Sequence, residues 1–122
     1  MTSAQTTPQM DLNDDDLVDL LWETAQRVAG HVKGSSAEAF DRDERAQDAV
    51  RGCLLVMGGA AGEVSDHLRN WLTTVPWEAL LRQGSWREHS GRESVRRAWD
   101  FTQTTVPAVL EALESFRNPR TQ

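Results

Sequence analysis

Histidine, arginine and tryptophan crowd together only once in this chain, in residues 76–99, PWEALLRQGSWREHSGRESVRRAW. Five of its thirteen Lys and Arg fall between Arg82 and Arg97, with His89 and Trp86 among them and Glu88 and Glu93 opposing. A chain of net charge -6 thus carries a local excess of about +3, which draws a phosphate or an acidic partner. Imidazole exchanges a proton near neutral pH, and guanidinium is always charged and holds phosphate through two parallel hydrogen bonds. Trp86, set between charged residues, offers a face for stacking a base or an anchor for an interface. The bland reading is a solvated, arginine-rich loop, with Arg92, Arg96 and Arg97 forming a solvated or partner-facing helix start.

Composition bounds the setting of this stretch. The 122 residues make one domain, large enough to bury a core without staples. The single cysteine, Cys53, allows no internal disulfide and, within an apolar run, reads as a small buried hydrophobe. That fits a reducing cytoplasm. No apolar run reaches the ~20 residues that span a bilayer, and MTSAQTTPQM lacks the regions of a signal peptide, so no membrane partner is expected. The acidic balance argues against a general nucleic-acid coat. His31 and His67 lack metal-ligand spacing, and Gly58-Gly59-Ala60-Ala61-Gly62 has neither a preceding strand nor a following lysine to hold phosphate. Neither metal nor cofactor is expected.

The elements that must position the stretch read as helices throughout. Residues 1–12 have nothing to bury and are expected as a disordered tail. Asn13 or Asp14 starts a first helix with an apolar face of Leu17, Leu20, Leu21, Ala25, Val28 and Val32, and Gly34 stops it. Ser36 caps a short turn, and Asp41 or Asp43 opens a second helix expected over residues 43–72, its middle apolar nearly all round. Gly52, Gly58, Gly59 and Gly62 each cost that helix ~1 kcal/mol, which close approach of a neighbour would justify; a break near Gly58 is the alternative. Pro76 suits the first turn of a short helix through Leu81. A last helix from near Ser94 to Phe116 is expected to be kinked or briefly interrupted at Pro107. Trp22, Trp71, Trp77 and Trp99 take core positions. No segment has strand period, so the fold class is all-α: an antiparallel up-and-down bundle of three long helices and one or two short ones, over residues 13–118, with 119–122 as a tail.

Several strings in this order resemble the HepT-like proteins of the HEPN superfamily. They are Ser36-x-Glu38-x-Phe40, Gln47-Asp48-Ala49-Val50, the run Leu54, Val56, Met57, Gly58, Ala60 and Ala61, then Pro76-Trp77, and Trp99 with Pro107. The resemblance covers residues 14–116. It implies a helical-bundle, metal-independent endoribonuclease, the toxin half of a toxin–antitoxin pair, acting as a homodimer on RNA with a nucleotidyltransferase-type antitoxin as partner. Its signature, Arg, four residues, His, one residue, Tyr, is degenerate here: His89 keeps its place, but Gly84 and Gly91 stand at the arginine and tyrosine positions. The long helix likewise has Gly52, Cys53, Leu55 and Gly59 where the family tends to carry Arg, Asn and two Glu.

Such cleavage needs a base for the 2′-hydroxyl proton, an acid for the leaving oxygen and a fixed cation on the phosphorane. The resemblance implies His89 as base or acid. The superfamily's tolerance for up to six intervening residues implies Arg82 as the replacement arginine, although on a continuous helix that step spans ~10 Å. Arg87, Arg92 and Trp86 are then RNA contacts. The alternative is a catalytically degenerate bundle that dimerises or binds a partner.

Overall fold

The computed structural model describes the backbone of residues 2–82 and 91–117 and the side chains of residues 13–82 and 93–116. Its elements are α1 (Thr2–Val32), α2 (Ala37–Asp41), α3 (Glu44–Glu63), α4 (Asp66–Trp71), α5 (Trp77–Leu81) and α6 (Gly91–Arg117). Among the described residues there is no strand, and the fold is an all-α helical bundle. Its long members are α1, α3 and α6. The short ones number three rather than one or two, because the second predicted helix is divided.

Local chemistry sets most of the boundaries. Gly34 closes α1 at φ +76°, a left-handed conformation that side chains disfavour. The Ser36 hydroxyl accepts the Ala39 N–H at 3.1 Å to open α2, and Asp43 Oδ1 accepts the Ala46 N–H at 3.1 Å to open α3. Buried Gln47 then donates Nε2 to the carbonyls of Phe40 (2.8 Å) and Asp41 (3.1 Å), tying α2 to the first turn of α3. Gly34 and Ser36 act where the sequence predicts, and of Asp41 and Asp43 it is Asp43 that opens α3.

At the start of α1 the structure differs. Its backbone is helical from Thr2, ahead of the Asn13 or Asp14 start, and Asp14 does not cap it. Asp14 is buried instead, and its carboxylate accepts the Ser65 N–H at 3.1 Å and the Ser65 hydroxyl at 2.6 Å. Leu20 is exposed, and Val18 takes the core position beside Leu21, Ala25 and Val28.

The predicted 43–72 helix breaks, and not at Gly58. Val64 is extended, at φ -68° and ψ 142°, and Ser65 caps a separate α4 by accepting the Leu68 N–H at 3.1 Å. The Arg69 guanidinium donates to the carbonyls of Ala61 (2.9 Å) and Val64 (3.1 Å), which the end of α3 would otherwise leave without donors. Nor does the small-residue explanation hold for Gly52 and Gly59. Both are exposed, and a Cβ built on either meets nothing within 4 Å.

Helix α6 begins at Gly91, ahead of Ser94, and continues through Pro107 as one element. Pro107 is exposed, so the Gln103 carbonyl that loses its donor faces water rather than the core. Around α3 the core is built from Val18, Leu21, Ala25 and Val28 of α1, Val50, Leu54, Met57 and Ala61 of α3, and Val106, Val109 and Leu113 of α6. Among the described residues no helix is long and apolar enough to cross a membrane.

Gly52→Ala and Gly59→Ala are each expected to stabilise the fold by about 1 kcal/mol, since alanine relieves the glycine cost and its methyl enters open space. Gly34→Ala is expected to destabilise it, because φ +76° admits a Cβ only with strain. Urea unfolding followed by circular dichroism reads both directions.

Candidate functional site

Of the residues that suggest chemistry in the sequence, Arg82 is the one whose side chain is described. It is exposed and forms the C-cap of α5, where its backbone N–H donates to the carbonyls of Glu78 and Leu80. Arg92 stands in the first turn of α6, its side chain outside the described residues; His89, Arg87 and Trp86 lie outside them altogether, as does Gly84. Arg96 and Arg97 are exposed, and Arg97 pairs with Glu93 at 3.4 Å, a solvated i,i+4 contact worth little.

One cationic residue near this stretch escapes a sequence reading. Arg51 of α3 donates Nη2 to the hydroxyl of buried Ser94 at 3.0 Å, which ties the middle of α3 to the start of α6. The only available signal is that a long cation interrupts an apolar helix. Its partner is 43 positions away and has no recognisable motif. Arg82 and Arg51 therefore mark the two ends of the segment that contains His89, one at its entry and one beside its exit.

Two open grooves cross the described surface. The first, of about 430 Å³, lies between α2 and α6 and is lined by Phe40, Trp99, Val95, Glu38, Asp41, Arg96 and Asp100. Half-buried Trp99 packs on buried Phe40 with ring centroids 5.4 Å apart and planes tilted by 40°. The second, of about 540 Å³, lies between Trp71–Thr74 and the C-terminal half of α6, with Ala108, Ala112 and Phe116 on the helix side.

The second groove overturns one core assignment. Trp71 is 66% exposed and meets Phe116 edge-on, with centroids 5.5 Å apart and planes at 80°. Trp71 ends α4, one turn after buried Leu68, and lines the groove rather than the core. Trp77 does enter the core, 8% exposed, and its indole N–H donates to the Leu72 carbonyl at 2.9 Å. The Arg69 guanidinium sits 6.0 Å from the Trp77 ring, within cation–π range.

Among the described residues no group of His, Cys, Asp and Glu is arranged to hold a metal ion. Burial pushes the Cys53 thiol above its ordinary pKa, with the charge of Arg27 partly opposing the rise. Near neutral pH it is therefore a protonated, weak nucleophile. Compared with family models, curated proteins and solved structures, the chain matches none.

The thiol gives a direct check. Cys53 in the folded protein is expected to react with a disulfide reagent at pH 8 about tenfold or more slowly than in urea, and Arg27→Gln is expected to slow it further. A thiol that holds its proton longer folded than unfolded makes stability fall, not rise, as pH climbs past the ordinary thiol range. Labelling rates and urea midpoints at stepped pH test both signs.

Proposed function

We propose that this chain works by binding: a HepT-like bundle, without the family's full nuclease signature, that holds a partner protein. The observation that carries this reading is Trp71, two-thirds exposed at the edge of an open groove walled by Phe116 and the alanines of α6. A large ring left in water beside an apolar wall is the commonest kind of interface anchor. Two positions where the resembled family tends to carry Arg and Glu, Gly52 and Gly59, open onto solvent. No side chain there can contribute to a phosphate site.

A second reading draws support from Arg82 and Arg51 at the two ends of the His89 segment. There the chain is a divergent metal-independent endoribonuclease toxin of the cytoplasm, dimeric, with RNA as substrate and a nucleotidyltransferase-type antitoxin. His89 would move the 2′-hydroxyl proton, Arg82 would hold the phosphorane, and Arg87, Arg92 and Trp86 would hold the strand. Regulation by adenylylation of a motif tyrosine has no acceptor at Gly91.

The two readings separate on RNA. Purified protein, His89→Ala and Arg82→Ala incubated with total and transfer RNA in chelator are all expected to leave it intact. Cleavage by the unsubstituted protein that both substitutions abolish would overturn the binding reading. Trp71→Ser is expected to fold normally, because the ring is mostly exposed, and to lose a stoichiometric partner that the tagged natural chain retains from extracts of its own cells. Equal retention would remove Trp71 as the anchor.

A further inference from the structure

The groove between α2 and α6 differs from the Trp71 groove in charge. Glu38, Asp41 and Asp100 line it against a single cation, Arg96, and all four are exposed. Among the described residues these three carboxylates take part in no ion pair or side-chain hydrogen bond. Beside them stands half-buried Trp99, backed by Phe40 at 5.4 Å. An occupant must therefore bring positive charge, and it must also cover an indole. Phosphate, nucleic acid and acidic peptides fail the first demand; an inorganic cation fails the second.

A guanidinium meets both. It stacks on an aromatic face, is weakly hydrated, and presents a fixed fork of donors that matches a carboxylate. An ammonium meets the charge demand without the fork. The volume of about 430 Å³ holds one long side chain with the backbone that carries it, which a peptide segment supplies.

We propose that this groove recognises an arginine-bearing peptide segment of a partner protein, with the guanidinium against Trp99 and paired to Asp41 and Asp100. The proposal rests on the binding reading above but shares no residue with the Trp71 groove, so each can fail without the other.

The test uses the full chain and a capped synthetic peptide, acetyl-Gly-Arg-Gly-Arg-Gly-amide, against its citrulline counterpart, which keeps the shape and loses the charge. Amide and indole NMR signals are followed, with the Trp99 indole assigned from Trp99→Phe. The arginine peptide is expected to shift the Trp99 indole and the Glu38 and Asp41 amides saturably, and the citrulline peptide to bind about tenfold or more weakly. The double variant Asp41→Asn, Asp100→Asn is expected to lose about the same factor, Arg96→Gln to bind more tightly, and Trp71→Ser to bind unchanged. Absence of saturable shifts, equal binding of citrulline, undiminished binding by the double variant, or shifts centred on the acidic residues Asp15 and Asp16 of α1 would each overturn the proposal.

Discussion

A buried carboxylate on α1, Asp14, accepts both the N–H and the hydroxyl of Ser65, and the geometry of the surface follows from that contact. Burying a carboxylate is unfavourable unless donors replace water, and hydrogen bonds to a charged acceptor are worth roughly 1.5–3 kcal/mol each. The hydroxyl that donates to Asp14 also accepts the Leu68 N–H, so one serine both closes the contact with α1 and opens α4. Arg69, one turn on, satisfies the end of α3. Three helices meet at this corner. From this corner α4 runs to Trp71, which stands exposed against the edge of Phe116.

Features with local causes were legible in the sequence. Gly34, Ser36 and Asp43 act as stop and caps because their chemistry is complete within four residues. The division of the second helix has a local part, the Ser65 cap on the Leu68 N–H, and a distant one. Val64-Ser65 holds neither proline nor glycine, whereas Gly58-Gly59, the conspicuous breaker, stays helical; the distant partner at the break is Asp14, 51 positions away. Periodicity alone also could not choose between Leu20 and Val18, which depends on how α1 is rotated against its neighbours.

For the site, the sequence identified residue types better than neighbours. It marked the arginine-rich stretch, and it placed Trp99 in the core, where the ring is in fact half-buried beside a groove. Arg51 on Ser94 and the gathering of Asp41 with Asp100 join segments far apart in the chain, and such junctions have no motif to announce them. His89 and Arg82 suggested cleavage because their residue types are those of phosphate chemistry. The described surface presents two grooves lined by aromatic rings, which the sequence did not announce.

An Asp14–Ser65 contact that fixes where α4 begins also places Trp71, and with it the proposed binding face. Proton–proton contacts between the Trp71 and Phe116 rings, measured by NMR in the natural chain and in Asp14→Ala, test it most directly. The account predicts that the variant loses these contacts while those between Phe40 and Trp99, at the far groove, persist and show the bundle still folded. Trp71–Phe116 contacts that survive unchanged in Asp14→Ala would contradict it.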